Sequence, residues 1–373
     1  MRKDGVLLVR LDLIGDFVLW LDSVRAYRQL YPNQKITLAV NSACADLAKT
    51  LPHWDEVIAI NVHRLRTDLM YRLRTLVKLR VRNFAVAIQP TFSREFAGDL
   101  ALRSTGATER IGYVGDTSNI VSTQKAQTDR WYSKLIAHHP DCKMELSTNA
   151  HFVRALGCID FLSQTPVIAK VMALPATYQF SKRYIVIAPG ASWQPRSWPV
   201  AHFAALIQQL ASQFAIDFVL CGGKDDQALC EELSQKVSAS NLINLAGQTS
   251  LLELVEIIRG AVLVISNESS PVHLSAATAT PSVCILGGGH FGRFMPYIIE
   301  QQIQTPLSSP VAVWHEMDCF GCSWKCKFKL EIEETVPCVA MISIAHVAKI
   351  CQSIVLEPLN IVNDTGSNSI DYR

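Results

Sequence analysis

Twice along this chain a short, mostly apolar run breaks into a glycine-bearing turn and then into a helix with one apolar face. The first run is VLLVRLDLIGD, which predicts a buried strand over residues 6–11 and a helix over 16–31, where Phe17, Val18, Leu21, Val24 and Tyr27 recur at helical spacing. Pro32 closes that helix, KITLAV supplies the next strand, and further strands are predicted at 56–60 and 84–89. The grammar restarts at YIVIAPG, 184–190, with helices at 202–214 and 225–238 and strands at 217–223 and 243–247. Ser250 and Glu253 then form a capping-box pair, Gly260 ends that helix, and 261–267, 271–279 and 282–288 read as strand, helix and strand. Strands alternating with helices demand parallel sheets covered on both faces. The expected fold class is therefore α/β: two doubly wound, Rossmann-like domains facing a central cleft, with ligands held beyond the carboxyl ends of the strands.

The length, 373 residues, exceeds what one core organises. The predicted division is 1–165, a linker at 166–183 punctuated by Thr165-Pro166 and Leu174-Pro175, a second domain at 184–356, and a polar tail at 357–373. With 49% hydrophobic and 18% charged residues the chain has a core-forming composition, not that of a disordered one. Residues 1–165 carry 22 Lys/Arg against 16 Asp/Glu and the remainder 13 against 17, so an anionic partner is expected on the first half. No apolar run reaches bilayer length, and Arg10, Asp12 and Asp16 interrupt the apolar start, which reads as neither anchor nor signal peptide. The eleven cysteines are then expected as thiols in a reducing cytoplasm.

Function should reside in loops that follow strands. Asp16 lies where the first strand hands over to a helix, a position that favours its ionised form and suits a proton acceptor, although a helix cap would also sit there. In PGASWQPRSWP, Gly190 lets a ligand approach, Ser192 adds a hydroxyl, and Arg196 offers a fork suited to phosphate oxygens. In NESSPVH, Ser270 is the predicted N-cap and Pro271 the first helical residue, so Ser269, Ser270 and backbone N–H groups make an anion cradle flanked by Glu268 and His273. Glu268 could hold sugar hydroxyls. Gly222, Gly223 and Asp226 follow another strand, where an acid could meet a ribose or simply complement a helix dipole.

Three further patterns compete for a role. Gly287, Gly289 and Gly292 fit the dinucleotide spacing, but a late strand precedes them and Pro296 interrupts any following helix, which argues against a nicotinamide-dependent oxidoreductase. Cys319, Cys322, Cys326 and Cys338 are spaced compatibly with zinc; their long third gap favours free or packed thiols and no metal. The stretch 63–82 holds Arg64, Arg66, Arg72 and Arg74 among seven cations, with leucines at helical spacing. It reads as an amphipathic helix for an acceptor or an anionic membrane surface, or as a solvated face; with Tyr71 its one aromatic, nucleic acid is not expected.

Taken in order, the opening VLLVRLDLIGDFVLWLDSVRAYRQLYP, RIGY at 110–113, PGASWQPRSWP, the Gly222-Gly223 turn, NLAGQTSLLEL, SNESSPVHLSAATATPSV and CFGCSWKC resemble glycosyltransferase family 9, which includes the lipopolysaccharide heptosyltransferases. The resemblance implies a GT-B fold, with the acceptor on the first domain, a nucleotide-sugar donor on the second, and a last helix that returns to the first. It implies an inverting, metal-independent transfer, in keeping with the lack of any Asp-x-Asp in the chain, from ADP-heptose to a lipopolysaccharide-core or related glycolipid acceptor, with no other cofactor. Asp16 matches the general base, Arg196 stands where lysine is usual, Asp226 lies near the ribose-holding acid, and Glu268-Ser269-Ser270 replaces Asp-Ser/Thr-Gly. A cytoplasmic monomer, peripheral on the inner face of the bacterial inner membrane, is the implied state. The alternative is a non-catalytic sugar-nucleotide or glycan-binding protein on the same scaffold.

Overall fold

The structure is a computed structural model, and it describes residues 4–363 apart from 179, 181, 238–240 and 301–308. Two compact units emerge, Met1–Val171 with Tyr297–Ile303, and Met172–Pro296 with Gln304–Arg373. The first contains a parallel sheet of β1 (Val6–Arg10), β2 (Ile36–Asn41), β3 (Glu56–Ile60), β4 (Val86–Gln89), β5 (Glu109–Tyr113) and β6 (Lys134–Ile136), in the order β3-β2-β1-β4-β5-β6. The second repeats it with β7 (Tyr184–Ala188), β8 (Asp217–Leu220), β9 (Leu242–Asn244), β10 (Leu263–Asn267), β11 (Ser282–Ile285) and β12 (Val311–Val313), in the order β12-β11-β10-β7-β8-β9. Every residue of β1, β7 and β10 is buried, because helices cover both faces of a parallel sheet. Each sheet reverses direction of growth once, between β1 and β4 in the first and between β7 and β10 in the second. Loops leaving those strand pairs splay apart and open a crevice, so topology alone singles out the segments after Arg10, Gln89, Ala188 and Asn267.

Several boundaries differ from the sequence reading for identifiable reasons. The single helix expected over 16–31 is two, Ile14–Trp20 and Val24–Leu30. Between them the buried Asp22 carboxylate accepts from the Gln164 amide at 2.9 Å and Ser23 donates to Trp20 O at 3.0 Å, so side chains compete with the helical ladder. The capping box forms as expected: Ser250 Oγ accepts from Glu253 N at 3.3 Å while Ser250 N donates to Glu253 Oε2 at 2.7 Å.

The last helix, Ile344–Asn363, falls within the second unit. Val347, Ala348, Cys351, Ile354 and Val355 are buried in the core of the second unit, where the helix packs on Val200–Ala211. A different segment joins the first unit. Glu300 accepts from Arg154 Nη1 at 3.0 Å, Ser163 N at 2.8 Å and Ser163 Oγ at 3.1 Å. The helix also runs past the expected start of the polar tail; residues 364–373 of that tail lie outside the described residues.

Candidate active site

At the first crevice, β1 ends in Arg10, which is 1% exposed. Its Nη2 donates to Asp16 O at 3.1 Å, its Nε lies 2.9 Å from Asp12 Oδ2, and Nη2 is 3.6 Å from Glu145 Oε1. Burial opposes the cation, but Asp12, Glu145 and Asp16 together hold its pKa above the ordinary arginine value. Asp12 also accepts from Thr91 Oγ1 at 3.1 Å, which links the loop after β1 to the loop after β4. The N-cap of helix Ile14–Trp20 is Leu13, and Asp16 stands three residues beyond it, in the first turn and partly exposed. Asp16 is therefore not the N-cap residue of its helix. Arg10 and Thr91 were missed in the sequence because their partners are set by chain crossings, not by local spacing.

The second crevice is tied together by Asn267, another residue sequence reasoning passed over. Its Oδ1 accepts from Trp198 N at 2.9 Å and its Nδ2 donates to Pro189 O at 2.5 Å, which fixes both ends of the loop after β7 against the end of β10. Within that loop a short 3-10 turn, Gln194–Arg196, presents the Arg196 guanidinium. Nη2 lies 3.3 Å from both Glu268 O and Glu268 Oε2, Nη1 lies 3.4 Å from Ser192 Oγ, and the guanidinium carbon sits 4.4 Å from the centre of the Trp324 ring. Glu268 is buried, and desolvation pushes its pKa up to about 7 although Arg196 pulls it down. Ser269, not Ser270, is the N-cap of helix Ser270–Ala277, so Pro271 is its second residue. Ser269 Oγ lies 3.1 Å from Ser266 Oγ. His273 is 4% exposed and burial pushes it down to about 4, so at neutral pH it brings no charge to an anion.

The loop after β8 is braced by one of its own side chains. Asp226 Oδ2 accepts from Gly223 N at 2.8 Å, and a Cβ added at Gly190 or Gly222 would collide with the Asp226 side chain. These two glycines make room for a carboxylate of the protein itself, so Asp226 couples the loop after β8 to the loop after β7.

The comparisons with known proteins agree with this fold. The description "Glycosyltransferase family 9 (heptosyltransferase)" matches residues 144–310. Lipooligosaccharide heptosyltransferase 2 of Haemophilus ducreyi is 24% identical over 309 residues, 80% of this chain and 87% of that protein. Lipopolysaccharide heptosyltransferase 3 of Escherichia coli is 24% identical over 282 residues, 73% of this chain and 79% of that one. Among solved structures, a family 9 glycosyl transferase of Veillonella parvula gives a TM-score of 0.74 at 14% identity, covering 96% and 98% of the two chains. ADP-heptose lipopolysaccharide heptosyltransferase II of E. coli gives 0.69 at 18%, covering 95% and 99%. These matches support an assignment to glycosyltransferase family 9. It is a glycosyltransferase enzyme with the GT-B fold.

In this enzyme the glycine cluster serves packing. A Cβ at Gly287 or Gly289 would strike Trp324, and one at Gly288 would strike Phe320, so the loop after β11 is bare because two rings of the cysteine-bearing segment lie on it. Cys319, Cys322 and Cys326 are half-buried, Cys338 is buried, and all four are free thiols. Burial, then its three cysteine neighbours, raises the Cys338 pKa. Among the described residues no group of three or more His, Cys, Asp or Glu side chains is arranged to hold a metal ion.

The basic stretch is broken at Asp68, whose side chain accepts from Tyr71 N at 2.9 Å and caps the second of two helices, Val62–Thr67 and Leu69–Arg80. Arg64 pairs with Asp68 at 2.8 Å, Arg66 pairs with Glu95, and Arg72 Nε donates to Leu65 O at 2.8 Å, while Arg74 is exposed. Leu65 and Leu79 are buried. Leu69, Leu73, Val77 and Val81, each four residues from the next, are 50–67% exposed.

Proposed function

We propose that this glycosyltransferase moves a heptose from ADP-heptose to a lipopolysaccharide-core or related glycan acceptor in a single inverting displacement that uses no metal ion. Asp16 takes the proton of the acceptor hydroxyl as its oxygen attacks the anomeric carbon. ADP leaves with the electron pair of the broken bond, and its charge is met by Arg196 and the N-terminal end of helix Ser270–Ala277. Ser192, Ser269 and Ser270 supply hydroxyls to the diphosphate, Glu268 faces the sugar, and Gly222, Gly223 and Asp226 border the nucleoside. The observation that carries this reading is the Arg196 fork, held at the crevice between β7 and β10 by a loop that Asn267 fastens at both ends. The donor assignment draws support from an E. coli heptosyltransferase solved with ADP and with ADP-2-deoxy-2-fluoro heptose.

The acceptor side draws on the helix Leu69–Arg80. Its exposed apolar stripe beside Arg74 and Lys78 suits the headgroup region of an anionic membrane, which supports docking on the cytoplasmic face of the bacterial inner membrane. Among the described residues no helix is long and apolar enough to cross a membrane.

The direct test incubates the purified protein with ADP-heptose and a truncated lipopolysaccharide core and follows ADP release. Acceptor-dependent release that survives a chelator is the expected result. Tight ADP-heptose binding without transfer or hydrolysis would overturn the reading in favour of a binding protein, and a larger thermal shift with UDP- or GDP-sugars would overturn the donor.

A further inference from the structure

Trp324 occupies a position that nothing in the transfer mechanism yet explains. It belongs to the cysteine-bearing segment, far in sequence from either crevice loop, yet its ring faces the Arg196 guanidinium at 4.4 Å and meets Trp193 edge-on at 6.2 Å. Four features fix the ring there. Nε1 donates to His290 Nδ1 at 3.1 Å. Gly287 and Gly289 leave the space the ring fills. Gly321 N and Ser323 N donate to Gly288 O and Gly289 O at 2.8 and 2.9 Å, which docks the segment on that loop. Ser323 and Trp324 both adopt left-handed backbone, φ +50° and +61°, a conformation that disfavours side chains and persists only where surroundings impose it.

We infer that Trp324 is a positioning residue for the transfer reaction, a wall against which the Arg196 guanidinium is held in plane for the leaving diphosphate. The inference rests on the assignment of Arg196 to the leaving group. A guanidinium is drawn to the electron-rich face of an indole, and the contact strengthens as water is excluded. Beside it lies Glu268, bonded to Nη2 at 3.3 Å, whose Oε1 is buried with no hydrogen-bond partner among the described residues. Without the ring, the fork loses a restraint against swinging to grip both carboxylate oxygens, and a fork spent on Glu268 is lost to the diphosphate.

Kinetics of Trp324→Leu, Trp324→Phe, Arg196→Ala and the Arg196→Ala/Trp324→Leu double variant test this, with each Tm recorded. Trp324→Leu is expected to lower kcat about tenfold with the acceptor KM unchanged, while Trp324→Phe, which keeps a π face, stays within about threefold of wild type. In the Arg196→Ala background the leucine substitution is expected to have no further effect on kcat. An equal loss in both backgrounds would overturn the positioning role while leaving Arg196 in place. A harmless Arg196→Ala would remove the leaving-group assignment and this inference with it. If Trp324→Leu fails to fold, Trp324→Phe decides: a loss of tenfold or more in kcat at unchanged Tm contradicts a role carried by the ring face.

Discussion

The two crevices hold the same kind of residue, a guanidinium at the end of a central strand or in the loop beyond it, in opposite electrostatic settings. Arg10 is fully enclosed, and one positive charge is shared among Asp12, Glu145 and Asp16. Arg196 keeps 17% of its side chain exposed and faces one carboxylate, Glu268, which burial brings close to half protonation near pH 7. The first crevice therefore carries surplus negative charge, and the second keeps a cation that is only partly neutralised. A surplus of carboxylate suits the removal of a proton from a neutral hydroxyl. A cation with capacity to spare suits a departing diphosphate.

Substitutions that reverse either setting should reveal the asymmetry. The largest effect is expected from Asp16→Ala, a fall of about 10² to 10⁴ in kcat measured as ADP release, and near-normal turnover would deny the first crevice its base. Arg196→Ala should lower kcat by about 10² to 10³ through lost leaving-group stabilisation. Arg196→Lys sharpens the point, because a point charge without the planar fork restores little if two parallel hydrogen bonds are needed.

Glu268→Gln probes the other half of that pair through stability. The folded pKa of about 7 lies above the ordinary 4.5, so the native state binds this proton more tightly than the unfolded chain does. The resulting stabilisation is complete below pH 4.5 and is lost as pH rises through about 7; a shift of this size is worth on the order of 3 kcal/mol. Tm followed from pH 5 to 8.5 should fall less steeply in Glu268→Gln than in wild type. Asp22, also raised to about 7 by burial, leaves a residual slope of the same sign that Asp22→Asn would remove. Parallel curves for wild type and Glu268→Gln would show that the second crevice does not hold its acid neutral. The smallest effect expected lies outside both crevices: Leu73→Asp/Val77→Asp should weaken flotation with phosphatidylglycerol vesicles about tenfold while turnover on a soluble acceptor fragment is unchanged.

What the sequence revealed follows the range of the interactions involved. β1, β3 and β7 were legible because an unbroken apolar run has few alternatives, and the Ser250/Glu253 cap because its partners lie three residues apart. Arg196 and Glu268 were found one loop at a time, but their mutual contact spans 72 residues and leaves no local mark. The same holds for Asn267, which meets partners 69 and 78 residues away, and for Trp324, whose chain neighbours suggested a metal site. Gly190 was legible as a position of close approach, and the structure adds Gly222 to it. A missing Cβ signals that something approaches closely, and here that object is Asp226.

The return of the chain at Glu300 has a practical bearing on dissecting the enzyme. A fragment that stops at Val171 would contain every strand of the first sheet but would strip Arg154 and the Ser163 amide of the carboxylate they share. Halves produced separately should therefore be less robust than the joined enzyme, and a peptide carrying the Glu300 turn, added back to the front fragment, should recover part of the deficit.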